Sequence, residues 1–173
     1  MTGLYGGAFD PPHNGHVALA DAARRHFDFD RFVVLVADAP GHKPVHASVD
    51  VRLQLARAAF PGLEIELDPY RWTVDMLRAR DWDDPVFLVG ADQLAAFPSW
   101  KEPKAVLELA RLAVATRPGY LVAPRDRVEV FDIPGVNVSS SEVRRRVASG
   151  EPIDTLVPPA VAKLIEELGV YRQ

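Results

Sequence analysis

The sequence contains no cysteine. Disulfide bonds, thiolate metal sites and cysteine nucleophiles are therefore excluded from its chemistry. No apolar run is long enough to span a bilayer, and the first residues have neither the basic segment nor the apolar stretch of a signal peptide. We therefore expect a cytoplasmic protein with no membrane partner.

Basic residues are outnumbered by acidic ones, 20 against 24, so the formal net charge is −4. Because a broad nucleic-acid-binding face is usually basic, we expect no nucleic-acid partner. The length of 173 residues predicts a single domain over 1–173, with a helical C-terminal part from about residue 139 within the same domain. The composition leaves open whether the chain forms a homo-oligomer.

Short apolar runs alternate with amphipathic segments along the whole chain. Strands are predicted at Gly3–Tyr5, Phe32–Val36, Leu63–Leu67, Val86–Val89, Leu112–Ala115 and Val128–Phe131. Helices are predicted at His16–His26, Val51–Phe60, Thr73–Arg80, Lys104–Leu109, Ser140–Ala148 and Pro159–Leu168, with Asp50 and Thr73 as N-caps. This alternation predicts an α/β fold of the doubly wound class, with a mostly parallel sheet and helices on both faces. Ligands of such sheets bind beyond the carboxyl ends of the strands.

A glycine-rich loop follows the first predicted strand. It reads Gly6-Gly7-Ala8-Phe9-Asp10-Pro11-Pro12-His13-Asn14-Gly15-His16. Glycines let backbone N–H groups approach a ligand and adopt positive φ angles, and a helix start offers unpaired N–H groups and a positive dipole end. Two imidazoles beside such a turn suit a polyphosphate. A metal site is less favoured, because the two histidines are not spaced i, i+4 on a helix and only Asp10 is near as a third ligand.

The loop matches G-G-x-F-D-P-x-H-x-G-H at every fixed position, and the chain resembles the bacterial nicotinate-nucleotide adenylyltransferases of the HxGH nucleotidyltransferase superfamily. The resemblance extends from Tyr5 to Tyr171. It implies a Rossmann-like fold and the transfer of AMP from ATP to nicotinate mononucleotide, which yields deamido-NAD and pyrophosphate. By this resemblance the catalytic residues are His13, His16, Lys43 and Arg144. Mg²⁺ is expected to be carried mainly by the ATP phosphates, with no dedicated protein metal site.

A second phosphate-binding segment is predicted near the C-terminus. Val138-Ser139-Ser140-Ser141-Glu142-Val143-Arg144 resembles the family motif I-S-S-x-x-I-R. Ser140 or Ser141 is expected to cap the following helix, and Arg144 suits phosphate oxygens through its planar fork of donors. The complete predicted ATP-binding set is Gly6, Gly7, Ala8, Phe9, Asp10, His13, His16, Gly90, Asp92, Ser140, Ser141 and Arg144.

The acceptor is expected to bind where three further segments resemble the family. Gly90-Ala91-Asp92-Gln93-Leu94 matches G-A-D-x-L, and Trp100 follows as a stacking partner for a pyridine ring. Arg71-Trp72-Thr73-Val74-Asp75-Met76-Leu77 stands where the family has S-Y-T-x-D-T-L, so Arg71 and Trp72 depart from the pattern. Arg71 either contacts the nicotinate carboxylate or faces water. The predicted acceptor-binding set is Trp72, Thr73, Asp92, Trp100 and Lys101.

Three other functions compete with this interpretation. The acceptor of a related HxGH enzyme would be phosphopantetheine, FMN or glycerol phosphate, but such an enzyme has no need of the Gly90–Leu94 and Trp100 segments. A second alternative prefers nicotinamide mononucleotide or accepts both mononucleotides. The third is a nucleotide-binding sensor without catalysis, which would not need both histidines together with Arg144.

Overall fold

Strands and helices alternate in a computed structural model that describes residues 1–40, 44–116, 126–133 and 135–172. The strands are β1 (Thr2–Gly7), β2 (Arg31–Ala37), β3 (Glu64–Asp68), β4 (Pro85–Gly90), β5 (Arg111–Thr116) and β6 (Val128–Asp132). The helices are α1 (Asn14–His26), α2 (Val49–Ala59), α3 (Thr73–Arg78), α4 (Ala91–Ala96), α5 (Pro103–Leu109), α6 (Ser140–Ala148) and α7 (Pro159–Leu168), with a 3₁₀ turn at Phe97–Ser99. Every strand predicted from the sequence is confirmed, within two residues at each end.

The strands form one six-stranded sheet in the order β3-β2-β1-β4-β5-β6. All neighbouring strands pair in parallel, so the predicted parallel sheet is confirmed. Strand β3 lies at one edge of the sheet and β6 at the other. The strand order reverses between β1 and β4, and a crevice at their carboxyl ends is the usual ligand site of such sheets.

Helices cover both faces of the sheet, which confirms the doubly wound prediction. One buried cluster joins β1 and β2 to α1, α2, α6 and α7, and Val143 and Val161 of the last two helices are fully buried in it. The other cluster lies on the opposite face and includes α3, α4 and α5. The β2 run Phe32–Val36 is buried throughout, because side chains on both of its faces meet helices.

Two predicted N-caps are wrong. Helix α2 is capped by Ser48, whose side chain accepts a hydrogen bond from the Val51 N–H, so Asp50 lies inside the first turn. Helix α3 has Trp72 at the N-cap position without a side-chain bond, and Thr73 is its first helical residue. In both cases another residue starts the helix earlier than the apolar spacing suggested.

Helix α4 and the 3₁₀ turn were absent from the sequence-based assignment. Both elements are short, and neither shows an apolar period long enough to identify it. Helix α4 instead begins through the Gln93 side chain, which accepts a hydrogen bond from the Gly90 N–H at 3.2 Å. In the part of the chain that the structure describes, no helix combines the length and the apolar character needed to cross a membrane.

Candidate active site

The two histidines of the glycine-rich loop form the start of α1. His13 is the N-cap, and its ring Nδ1 accepts from the His16 N–H at 3.4 Å, while the His13 N–H donates to the His16 Nδ1 at 3.1 Å. The two rings stack with centroids 3.7 Å apart. This reciprocal capping box explains the motif's spacing, because only residues three apart exchange these bonds at a helix start.

The same bonds select the tautomer of each neutral histidine ring. In a neutral imidazole whose Nδ1 accepts a hydrogen bond, the proton resides on Nε2, which is then a donor. His13 is buried, and desolvation lowers its pKa to about 4. His13 is therefore neutral at pH 7 and presents an Nε2–H donor, which suits a phosphate oxygen.

Asp10 fixes the loop through its side chain. The carboxylate is buried and accepts hydrogen bonds from the His46 N–H at 2.6 Å, the Ala47 N–H at 3.1 Å and the Tyr171 hydroxyl at 2.7 Å. Burial and the bond to Asp10 raise the pKa of Tyr171, which keeps its hydroxyl protonated. The carboxylate is thus occupied by protein donors, and these bonds hold the loop in place.

The buried side chain of Arg52 stabilises the same loop. Its side chain is 1% exposed and donates to four backbone carbonyls. The acceptors are the carbonyls of Ala47 (3.2 Å), Ala8 (2.9 Å), Ala37 (2.6 Å) and Asp38 (2.8 Å). Because every contact is to the backbone, Arg52 joins the loops that follow β1 and β2 and does not reach toward a phosphate.

Helix α6 brings the second predicted phosphate segment to the loop. The Ser140 hydroxyl donates to the Pro11 carbonyl at 2.8 Å, and the Arg144 guanidinium donates to the Asp10 carbonyl at 2.6 Å. Arg144 also donates to the Ser141 hydroxyl at 3.2 Å. A guanidinium has five N–H donors, so these bonds leave others to face an anion. The structure thus brings the two predicted phosphate segments together.

The cap of α6 differs from the prediction. Ser139, and not Ser140 or Ser141, is the N-cap, and its hydroxyl accepts from the Glu142 N–H at 3.2 Å. Any of the three consecutive serines could have capped the helix. Because the Ser140 hydroxyl is bonded to the loop, Ser139 is the residue that caps α6. Ser140 and Ser141 therefore lie in the first turn, and the hydroxyls of both are oriented by α6 and the loop.

The glycines of the loop act differently from the prediction. Gly6 and Gly7 belong to β1 and neither has a positive φ, whereas Phe9 has a φ of 49°. A Cβ on Gly7 would lie 2.9 Å from the Phe9 ring, so close packing demands the glycine. The Phe9 side chain is 1% exposed and meets Tyr5 and the His16 ring edge-on, so it supports the histidine from the core.

The loop after β4 lies across the strand-order switch from the histidines. A Cβ on Gly90 would lie 2.8 Å from the Asp92 Oδ1, so the Asp92 carboxylate folds back over the backbone here. Asp92 is exposed in the first turn of α4. Gly90 is the N-cap of α4.

The Trp100 segment is fastened to the start of α3. The Lys101 Nζ bonds both oxygens of Asp75 at 2.9 Å, and Arg78 pairs with Glu102 at 2.7 Å. Trp100 is half-buried and meets Phe97 edge-on, with ring centroids 5.3 Å apart. The structure thus brings Trp100 beside the helix that begins at Thr73. Lys101 anchors this segment, and its contact with an acceptor stays a prediction.

Comparisons with known proteins show the family of this chain. The family model described as Cytidylyltransferase-like matches residues 4–146. A protein of Chlorobaculum parvum named "Probable nicotinate-nucleotide adenylyltransferase" is 36% identical over 99% of this chain and 98% of its own length. A protein of the same name from Thermus thermophilus is 37% identical over 98% of each chain. The chain belongs to the nicotinate-nucleotide adenylyltransferases.

A solved structure of more distant sequence shows the same fold. Plasmodium falciparum nicotinic acid mononucleotide adenylyltransferase complexed with NaAD has a TM-score of 0.80 at 18% identity, over 98% of this chain and 96% of that one. The corresponding structure complexed with APC has a TM-score of 0.79 at 17% identity. These likenesses support the Rossmann-like fold predicted from the sequence.

Lys43 lies outside the described residues, as does most of 117–126, for which the sequence predicted no role. Among the described ranges no group of three or more histidine and acidic side chains is arranged to hold a metal ion.

Tyr171 is a part of the site that the sequence did not predict. It follows no motif, and its partner Asp10 is 161 positions away. The backbone of His46 and Ala47, which also binds Asp10, was assigned only to a loop. The only signal in the sequence was the acidic residue Asp10 within the motif. A buried carboxylate needs hydrogen-bond donors, but the sequence does not identify the residues that supply them.

Proposed function

We propose that this chain transfers AMP from ATP to nicotinate mononucleotide, releasing pyrophosphate and forming deamido-NAD. The observation that supports this proposal most directly is the stacked His13–His16 pair at the start of α1, with Ser140 and Arg144 of α6 bonded to the same loop. The names of the full-length relatives support the nicotinate acceptor. Residues 1–173 act in this reaction as one catalytic domain.

The chemistry is an in-line displacement at phosphorus. An oxygen of the acceptor's 5′-phosphate forms a bond to the α-phosphorus of ATP, and the bond from that phosphorus to the α,β-bridging oxygen breaks. The bonding electrons leave with pyrophosphate, and no covalent enzyme intermediate is needed. Catalysis then consists of positioning the two reactants and stabilising charge on the transferring group.

Each side chain has one part in this scheme. His16 donates to the α-phosphate, and His13 donates to the β/γ end. Arg144 and the Ser141 hydroxyl hold the pyrophosphate as its charge grows, and Lys43 is assigned the same task. The single Ser140 hydroxyl proton is bonded to the Pro11 carbonyl, so Ser140 contributes through its backbone N–H at the start of α6. Asp10, Arg52 and Tyr171 touch no substrate but keep the loop rigid, so that the donors pay little reorganisation cost in the transition state.

Mg²⁺ enters this scheme as part of the MgATP substrate. Mg²⁺ keeps most of its waters and binds proteins through few carboxylates when phosphates are present. The Asp10 carboxylate accepts three protein donors and is poorly placed to bind the ion directly. The requirement is tested by removing divalent cations with a chelator, which is expected to abolish turnover.

The acceptor is proposed to lie between the loop after β4 and the start of α3. Gly90 permits close approach of the sugar, Asp92 accepts from its hydroxyls, and Trp100 stacks on the pyridine ring. Thr73 and Trp72 stand at the start of α3, which Lys101 ties to the Trp100 segment through Asp75. A tryptophan face also attracts the cationic ring of the mononucleotide.

An acceptor screen tests the proposal. The protein is incubated with ATP and Mg²⁺, and each acceptor is offered in turn while pyrophosphate is measured. The acceptors are nicotinate mononucleotide, nicotinamide mononucleotide, phosphopantetheine, FMN and glycerol phosphate. Release with nicotinate mononucleotide well above the others is expected. Release with another acceptor alone, or with none, contradicts the proposal, and the latter favours the sensor.

Two further expectations belong to this proposal. A cytoplasmic location fits an enzyme that draws on ATP and a nucleotide intermediate, and it is checked by fractionating the cells that make the protein. Homo-oligomer formation is checked by light scattering of the purified chain.

A further inference from the structure

Three arginine guanidinium groups lie over tryptophan rings among the described residues. Arg31 and Arg80 both lie over Trp82, at 5.6 and 5.2 Å from its ring centroid. Arg71 lies over Trp72 at 5.1 Å. A stacked guanidinium uses its flat face for the ring, so its N–H donors remain available around the edge.

In the first two cases a carboxylate occupies that edge. Arg31 bonds both oxygens of Glu64, at 2.8 and 2.6 Å. Arg80 pairs with Glu66. Tryptophan, guanidinium and carboxylate thus form a three-part arrangement on each side of Trp82, and at Arg31 the planar fork fits both carboxylate oxygens.

The third arrangement lacks its carboxylate. Arg71 contacts no acidic side chain among the residues that the structure describes. The nearby cations differ, because Lys101 is paired with Asp75 and Arg78 with Glu102. Of the three arginines at and beside α3 in the described chain, Arg78 and Arg80 are paired with glutamates, whereas Arg71 still has its carboxylate-binding edge available.

The position of Arg71 is that of the proposed acceptor site. The Trp72 carbonyl, next in the chain, accepts from the Asp75 N–H at 3.0 Å, and Asp75 binds Lys101 beside Trp100. Trp72 is 38% exposed, so the stacked pair faces solvent where a ligand can reach it. Arg71 and Trp100, whose ring is proposed to stack on the pyridine, therefore lie on two segments that the Lys101–Asp75 ion pair joins.

We propose that Arg71 binds the carboxylate of the acceptor's pyridine ring and thereby selects the acid over the amide. This inference rests on the proposed function and names the specificity residue of that site. A carboxylate offers two oxygens to the guanidinium fork and an opposite charge. A carboxamide offers one oxygen and turns an N–H₂ group toward the other donor, so it loses both the second bond and the charge.

Substitution at Arg71 tests this role against a matched control. The values of kcat/KM for nicotinate and nicotinamide mononucleotides are measured in the wild type, Arg71→Ala and Arg71→Lys. The control is Arg80→Ala, which removes a stacked arginine that already has its carboxylate. Arg71→Ala is expected to lower kcat/KM for the acid by at least ~10-fold, as loss of hydrogen bonds to a charged group does, and to leave the amide within about threefold.

Arg71→Lys keeps the charge without the fork and is expected to fall between the two. Arg80→Ala is expected to leave the acid-to-amide ratio unchanged. An unchanged ratio in Arg71→Ala, or an equal fall for both acceptors, overturns the inference. Calorimetric binding of nicotinate mononucleotide in the absence of ATP distinguishes a failure of this inference from a failure of the proposed function. A wild type that binds the mononucleotide but releases no pyrophosphate refutes the proposed AMP transfer. In that case, binding of the mononucleotide to Arg71→Ala still tests the role of Arg71, which predicts weaker binding.

Discussion

The Tyr171 hydroxyl donates a 2.7 Å hydrogen bond to the Asp10 carboxylate, across 161 positions of the chain. Asp10 lies in the loop that positions His13 and His16, and Tyr171 follows the last helix. The bond therefore connects the end of the chain directly to the proposed phosphate site. A carboxylate buried with fewer donors than it needs is costly, so this one contact carries more weight than a surface hydrogen bond.

Tyr171→Phe removes only that hydroxyl. We expect the free energy of unfolding to fall by ~1.5–3 kcal/mol, the usual value for a hydrogen bond to a charged group. We also expect kcat to fall more than KM rises, because the loop loses rigidity while its phosphate donors remain. Urea denaturation and steady-state kinetics measure the two effects. Tyr70→Phe is the control at an exposed tyrosine, and equal behaviour of the two variants would contradict the role of Tyr171.

Arg52→Met leaves four backbone carbonyls without their donor. Loss of one member of such a buried charged network costs on the order of 3–5 kcal/mol, so the variant should unfold at much lower urea concentration. Arg57→Met, an exposed position on the same helix, should change the midpoint little. If Arg52→Met instead keeps its stability but loses ATP binding, Arg52 is a phosphate ligand and not a structural one.

His13→Asn tests the lowered pKa of the N-cap histidine. Burial holds the pKa of His13 at about 4, below its ordinary value of 6.5. Between these values the unfolded chain binds more protons than the folded one, so wild-type stability decreases as pH falls from 6.5 to 4. The contribution of His13 to this decrease is at most ~3 kcal/mol.

Asparagine is a good N-cap residue but does not titrate, so it removes the pH dependence without removing the cap. The unfolding free energy of the wild type minus that of the variant should therefore be constant above pH 7 and should decrease as the pH falls toward 4. Urea titrations at several pH values give this difference. A difference that does not vary with pH would show that His13 titrates normally.

His16→Ala is expected to lower kcat by about 100- to 1,000-fold, the usual cost of removing one transition-state donor. The fold should persist, because His13 keeps its cap bond to the backbone at residue 16. Pyrophosphate release and circular dichroism check both statements. His26→Ala, which lies at the far end of α1, serves as the control. Near-wild-type turnover of His16→Ala would remove this histidine from the mechanism.

The strands and most helices were predictable because their signals are local. Continuous apolar runs such as Phe32–Val36 mark strands covered on both faces, and the spacing of apolar residues marks Ser140–Ala148 and Pro159–Leu168 exactly as observed. Helix α4 was missed because six residues carry too little periodicity. The caps at Ser48 and Ser139 were misassigned because several neighbouring polar residues were equally suitable.

The sequence by itself determined the phosphate loop, the parallel α/β class and the family, because the His13–His16 capping box and the strand runs depend on residues a few positions apart. Tertiary structure alone decided which partners complete the site: Tyr171 on Asp10, Arg52 on the loop carbonyls, and Lys101 on Asp75. These bonds join segments that are far apart in the chain. The sequence alone does not distinguish them from the many other pairings of acidic and basic residues that are possible. Only the packing of the helices on the sheet selects among them.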